Sequence, residues 1–206
     1  MLRLLLLAAA LVAAPAGASP AKPLILAFGD SLTAGYGLDP GLGFAPQLQA
    51  ALRRHGVAAR VADGGVSGDT SAAGRARLAW TLDGLGTKPD LVIVELGAND
   101  MLRALDPAGT ERNLDAILSE LSRRKIRTLF VGMRGAPNLD PAYVRRLEAI
   151  YPRLARRYGA AFYPFFLEGV ATVPGMVQPD GMHPTFKGVK AIVSGITPIV
   201  KTELGR

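Results

Sequence analysis

The pattern that most constrains this chain is alternation: five short apolar runs, each separated from the next by a longer amphipathic stretch. Leu24-Ile25-Leu26-Ala27-Phe28, Ala58 to Ala62, Leu91-Val92-Ile93-Val94-Glu95-Leu96, Thr128-Leu129-Phe130-Val131 and Ala161-Phe162-Tyr163 read as strands. The runs at 24–28 and 91–96 are nearly continuous, as in strands covered on both faces. Between the runs the spacing predicts helices over about 43–55, 70–86, 110–124, 141–158 and 185–203, with Pro152 expected to kink or break the fourth. Strand, helix, strand, repeated along the chain, implies right-handed crossovers and a parallel sheet. The expected fold is therefore α/β in three layers, with a mostly parallel five-stranded sheet.

A length of 206 residues suits one domain with a sizeable core. Residues 1–18 are set apart from it. Arg3 supplies a short basic start, Leu4 to Ala14 is apolar, and Ala16-Gly17-Ala18 is a small-x-small cleavage signature before Ser19-Pro20. This reads as a secretory signal peptide, leaving 19–206 as the single domain and a periplasmic or secreted protein. The alternative is an uncleaved anchor, which would have to take in Pro15, Gly17, Ser19 and Pro20. With no cysteine in the chain, disulfide scaffolds, zinc ribbons and thiol nucleophiles are excluded, as is a lipid attached to a cysteine behind the signal.

The net charge of +7 permits contact with nucleic acid or an anionic membrane, but it does not define a site. On the 141–158 helix, Arg145, Arg146, Arg153, Arg156 and Arg157 share one side, while Val144, Leu147, Ile150, Tyr151, Leu154 and Tyr158 share the other. That is a solvated face opposite a core face. No aromatic residues interleave the basic ones as stacking platforms, so nucleic-acid binding is not expected. Nor is stable membrane insertion once the signal is removed.

Chemistry-bearing residues gather where the strands end, the edge at which open α/β sheets place ligands. The first strand runs into Gly29-Asp30-Ser31-Leu32, which can present a serine hydroxyl but is also an ordinary turn and helix cap. The second leads to Asp63-Gly64-Gly65-Val66-Ser67-Gly68-Asp69-Thr70, where the glycines can merely turn and Asp69 or Thr70 can serve merely as a cap. The third ends in Gly97-Ala98-Asn99-Asp100. Only two histidines exist. His55 ends an amphipathic helix beside Arg53 and Arg54, as a solvated cation would. His183 stands three residues after Asp180 in a Gly/Pro-rich loop, a spacing that lets the carboxylate hold one ring nitrogen and leaves the other for a serine hydroxyl.

These blocks, in this order, resemble the GDSL or SGNH hydrolases, specifically their secreted esterase, thioesterase I and lysophospholipase group, over essentially the whole span from Leu24 to about Ile199. Thr33-Ala34-Gly35-Tyr36-Gly37, Ala149-Ile150-Tyr151-Pro152 and Tyr163-Pro164-Phe165-Phe166 add to the likeness. The resemblance implies a flavodoxin-like sheet and a serine esterase. Ser31 would be the nucleophile, His183 the base and Asp180 its orienter. The oxyanion donors would be the N–H groups of Ser31 and Gly68 and the side-chain amide of Asn99. Asp30, Asp69 and Asp100 read as structural. The loop after the fourth strand is expected to border the substrate, giving Arg134, Pro137 and Leu139 as substrate-binding residues, and Met182, beside His183, joins them. Met133, Phe165, Phe166 and Met176 are further candidates for an apolar wall, each of which could equally be core.

The resemblance points to short-to-medium acyl or aryl esters, with thioesters and lysophospholipids as possible substrates. No cofactor or metal is expected, and a monomer is. Two other readings stand beside it: a non-catalytic α/β ligand-binding protein of the cell envelope, and a nucleotide-binding domain. The second is weakened because neither a Gly-x-Gly-x-x-Gly nor a P-loop pattern follows the first strand.

Overall fold

A computed structural model of the chain describes residues 22–136 and 138–205; the expected signal segment 1–18 lies outside them. The sheet contains β1 (Leu24–Gly29), β2 (Arg60–Gly65), β3 (Leu91–Glu95), β4 (Arg127–Val131) and β5 (Ala161–Tyr163). All neighbours are parallel, in the order β2-β1-β3-β4-β5. The chain moves from β1 outward to β2 and then returns to place β3 on the other side of β1. The crevice between the ends of β1 and β3 is thus a topological switch point. β1 and β3 are buried along their whole length, which accounts for their unbroken apolar runs. β2 and β5 form the edges and are only partly covered.

Helices cover both faces. On one, α2 (Phe44–Arg54) packs against α8 (Phe186–Glu203); on the other, α3 (Ser71–Asp83), α5 (Pro107–Arg123) and α7 (Ile150–Tyr158) pack in succession. Local sequence explains the helix starts. Thr70, Asp106 and Thr185 accept from N–H groups in the first turns of α3, α5 and α8, and Pro107 opens α5 where no N–H is required. Two elements depart from expectation. β2 lies at 60–65, not 58–62, because Phe28 and Gly29 hold Gly64 and Gly65 in register instead of releasing them as a turn. α5 begins three residues earlier than its apolar spacing suggests. The 141–158 helix divides as Pro152 implies, into α6 (Pro141–Glu148) and α7, but the break lies at Ala149, upstream of the proline, so Pro152 falls in the first turn of α7 where its missing N–H costs nothing.

The basic side of α6 and α7 is also more than a solvated face. Arg146 reaches Asp106, the cap of α5, at 2.7 Å, and Arg153 and Arg157 reach Glu111 and Asp115 on α5 at 2.6 and 2.8 Å. All three arginines are at least half exposed, so each pair contributes at most about 1 kcal/mol. The apolar side of α7 carries the larger role: Tyr151 is buried, and its hydroxyl donates to the Leu96 carbonyl at 3.1 Å.

This bond sits immediately before Gly97, which turns the chain from β3 into the short helix α4 (Ala98–Leu102) with φ +116°. A Cβ at Gly97 would strike the Tyr151 hydroxyl. Gly97→Ala combines backbone strain with overpacking and is expected to lower the unfolding free energy by about 2–5 kcal/mol. Urea denaturation measures it. Adding Tyr151→Phe should return part of the loss, and wild-type stability in Gly97→Ala would contradict the account.

Candidate active site

One row of the sheet sets the site. Gly65, Gly29 and Glu95 are direct register partners, and the row continues through Val131 to Tyr163. All the loops that carry candidate residues therefore leave the sheet at the same level. After β1, Asp30 caps the four-residue helix α1 (Ser31–Ala34) by accepting from the Leu32 N–H at 3.0 Å. Ser31 is thereby the first residue of a helix, and its N–H has no protein acceptor among the described residues.

His183 meets it from the far end of the chain. Val177 bridges Pro184, and the Gln178 N–H donates to the His183 carbonyl at 2.7 Å, making residues 177–184 a tight hairpin. Gln178 Nε2 also donates to the carbonyls of Tyr36 and Pro184, tying this hairpin to the loop after α1. Within the hairpin, Asp180 accepts from the Met182 and His183 N–H groups at 2.9 and 3.0 Å. Its second oxygen lies 2.7 Å from His183 Nδ1. Partial desolvation pushes this carboxyl up, but the bonds from Met182, His183 and the ring outweigh it and bring Asp180 down to about 2.

An ionised carboxylate can only accept, so Nδ1 carries the ring proton and, in the neutral imidazole, Nε2 is an acceptor. That nitrogen is 2.9 Å from Ser31 Oγ. The structure therefore brings Ser31, His183 and Asp180 into one line across 152 residues of sequence separation. His55, the other histidine, is exposed at the end of α2.

Gly68 lies on the loop from β2 to α3 with φ +88°, with Arg103 Nη2 3.9 Å from where a Cβ would stand, and an N–H without an acceptor among the described residues. Asn99, on α4, directs Nδ2 to Asp30 Oδ2 at 3.2 Å and to the Asp69 carbonyl at 3.0 Å. The amide thus bridges the two loops that carry Ser31 and Gly68. The acidic neighbours of these residues have structural partners. Asp69 pairs with Arg77 at 2.5 Å, and Arg77 in turn donates to the Gly29 carbonyl at 2.9 Å while lying over the Phe28 ring. Asp100, fully enclosed, accepts from the Ser71 N–H and hydroxyl and from Thr110, fastening α4 to α3 and α5.

Beside Ser31 and His183 opens a cavity of about 460 Å³, a size suited to a small ligand. Ser31, Gly68, Asn99 and His183 line it, as do Arg134 and Met182. Met133 and Phe165 also reach it, whereas Phe166 is buried against Phe44 in the core. Leu139 is not part of the wall: it is half-buried and packs against the core, its N–H closing a turn on the Ala136 carbonyl. Pro137 lies outside the described residues. The sequence did not single out Met101, Leu102, Leu167, Ala171, Thr172 or Val177, yet they complete the wall. Met101 and Leu102 had a signal, since they continue the short helix that carries Asn99; the others follow a loop with no periodicity. Tyr36 lies with its ring 4.6 Å from that of His183. Among the described residues there is no cluster of side chains able to hold a metal ion, and no helix long and apolar enough to cross a membrane.

A family model described as GDSL-like Lipase/Acylhydrolase family matches residues 27–191. Esterase TesA of Pseudomonas aeruginosa is 36% identical over 200 residues, covering 97% of this chain and 98% of that protein. The arylesterase of Vibrio mimicus is 39% identical over 167 residues, 81% of this chain and 82% of its own length. The crystal structure of AlinE4, described as an SGNH-hydrolase family esterase, superposes with a TM-score of 0.77 at 51% identity, over 91% of this chain and 99% of that one.

The environment of Asp30 gives a test of the site's electrostatics. Burial raises its carboxyl from 3.8 to about 6, only partly offset by the bonds from Leu32 and Asn99. The folded protein binds this proton more tightly than the unfolded chain does. The contribution therefore favours folding below about pH 4 and is lost as pH rises through about 6. Across that window the wild type should lose unfolding free energy relative to Asp30→Asn. Urea unfolding of both proteins as a function of pH reads this, and parallel profiles would refute it.

Proposed function

We infer, for a chain that belongs to the GDSL-like lipase/acylhydrolase family and is a carboxylic ester hydrolase, that Ser31, His183 and Asp180 carry out the hydrolysis through an acyl-enzyme. The observation that carries this reading is the Ser31–His183–Asp180 line, with contacts of 2.9 and 2.7 Å, at the edge of an apolar cavity. Ser31 Oγ attacks the acyl carbonyl carbon while His183 Nε2 takes its proton. The tetrahedral intermediate then collapses, with His183 returning the proton to the leaving oxygen or sulfur. Water repeats the sequence on the acyl-enzyme and releases the acid. Asp180 holds the ring tautomer and stabilises the imidazolium formed in each half.

Negative charge gathers on the former carbonyl oxygen. The free N–H groups of Ser31 and Gly68 are suited to receive it, with Asn99 Nδ2 as the third donor. Both Asn99 hydrogens already have acceptors, so the oxyanion must share one with Asp30 or with the Asp69 carbonyl. Such donors act where charge develops, and losing one costs about 10²–10³ in kcat. The cavity wall formed by Met133, Phe165, Leu167 and Val177 fits an acyl chain of short to medium length, and Arg134 and Met182 stand at its border. The substrates are small-molecule esters or lipids. Aryl and alkyl esters come first, with acyl thioesters and lysophospholipids accepted through the same attack on carbonyl carbon. The protein works as an exported monomer, in the periplasm or outside the cell, after removal of residues 1–18.

Ser31→Ala is expected to abolish turnover of an aryl ester such as phenyl acetate while leaving the unfolding transition unchanged. Asn99→Ala should lower kcat about 10²–10³-fold with KM little changed. Steady-state kinetics on the purified protein decides both, and retained turnover in Ser31→Ala would end the assignment of the nucleophile. N-terminal sequencing of the exported protein tests the cleavage after residue 18.

A further inference from the structure

Glu95 closes β3 in the row from which the site loops depart, and it is 1% exposed. Its Oε2 accepts from Thr33 Oγ1 at 2.8 Å and lies 3.4 Å from the Asp30 N–H. Its Oε1 is the one fully buried side-chain oxygen or nitrogen among the described residues that lacks a hydrogen-bond partner. No basic side chain pairs with this carboxyl among the described residues; its charged neighbour is Asp30. An ionised Glu95 would place two carboxylates together in the core, an arrangement proteins avoid by keeping one of them protonated; His183 favours the charge on Asp30, but no cation among the described residues favours one on Glu95. Burial first, and the Asp30 charge second, push the Glu95 carboxyl well above the usual carboxylate range.

A neutral acid resolves the orphaned oxygen, because its hydroxyl needs an acceptor and not a donor. The Asp30 carboxyl is within hydrogen-bonding reach. We propose that Glu95 is a positioning residue for the oxyanion site: a buried neutral carboxylic acid whose one proton is donated to the Asp30 carboxylate, keeping Asp30 an acceptor aimed at Asn99. The proton stays on Glu95 throughout turnover. This rests on the reading of Asn99 as an oxyanion donor.

The consequence for Asn99 is directional. Asp30 receives Leu32 N–H on Oδ1, fixing the start of α1 at Ser31, and Asn99 Nδ2 on Oδ2. Facing an ionised acceptor, Asn99 must turn its NH₂ toward Asp30 and not its carbonyl. The reverse orientation would set the amide oxygen where the oxyanion needs a donor. The Asp69 carbonyl enforces the same orientation from the second hydrogen, so loss of Glu95 weakens the arrangement without abolishing it.

The test is a set of variants assayed on one aryl ester. Glu95→Leu, apolar and of similar size, removes the donor to Asp30 and should lower kcat about tenfold with KM within about twofold. Glu95→Gln keeps an NH₂ for Asp30 and a carbonyl for Thr33, and should stay within about twofold of wild type. In an Asn99→Ala background, Glu95→Leu should cost nothing further, because a residue acting through Asn99 has lost its target. The wild type should also show, at neutral pH, an infrared band of a protonated carboxyl that disappears in Glu95→Gln. Wild-type turnover in Asn99→Ala would overturn the oxyanion reading and this inference together. With Asn99→Ala impaired as expected, three results would overturn this inference alone: an undiminished Glu95→Leu loss in that background, wild-type turnover in Glu95→Leu, or a Glu95→Gln as slow as Glu95→Leu. If Glu95→Leu does not fold, the infrared band and Glu95→Gln decide: a missing band or a tenfold slower Gln variant overturns it.

Discussion

The level register of the parallel strands is the constraint on which the site depends. Hydrogen bonding between β2, β1 and β3 makes Gly65, Gly29 and Glu95 neighbours in one row. From that row the loops bearing Gly68, Ser31 and Asn99 need only two to four residues each to converge. A shift of one residue in any pairing would reverse which face of the sheet each side chain addresses. The continuous burial of β1 and β3 resists such a slip less by alternation than by the helices packed on both faces and by the loop contacts that lock the ends. Arg77, gripping Asp69 and the Gly29 carbonyl, is one such lock; Gln178, gripping the Tyr36 and Pro184 carbonyls, is another.

Around this row the core is unusually acidic. Asp30, Glu95 and Asp100 are all 1% exposed or less. Burying them costs free energy that apolar residues would not, and the cost is met by donors drawn from several elements. Asp100 collects the Ser71 and Thr110 hydroxyls and the Ser71 N–H, so the carboxylate that follows Asn99 anchors α4 against α3 and α5. Asp30 orders α1 and Asn99. The polar interior is therefore concentrated at one edge of the sheet, where it stiffens the groups that face the cavity, while the rest of the core is apolar apart from Thr197, whose hydroxyl donates within α8. Apolar cavity walls and rigid donors together suit a reaction in which an uncharged ester gives rise to a short-lived anion.

Much of this was legible in the sequence, and the reasons are local. Asp180 and His183 are three residues apart in a turn, so their contact follows from a short stretch of backbone. The unbroken apolar runs of β1 and β3 announce strands buried on both faces. Where the reading slipped, a longer-range contact had intervened. Gly64 and Gly65 look like a turn, but pairing with Phe28 and Gly29 keeps them in the sheet. The loop after β4 borders the cavity through Arg134, yet Leu139 folds back on the core because the chain turns at Ala136. Glu95 reads as the polar end of a strand until its neighbours are known.

The sequence by itself determined the fold class and the order of the strand-end blocks, because these rest on residue type, periodicity and spacings of a few residues, and through its family resemblance it pointed to Ser31, His183 and Asp180 as candidates. Only the tertiary structure decided that Asn99 bridges Asp30 and the Asp69 carbonyl, that the Glu95 carboxyl lies buried beside Asp30, and which side chains wall the cavity. Asp30 and Glu95 stand 65 residues apart in the chain and Ser31 and His183 152 apart. Their distances are set by strand register and helix packing, and the charge state of a buried group depends on everything that surrounds it.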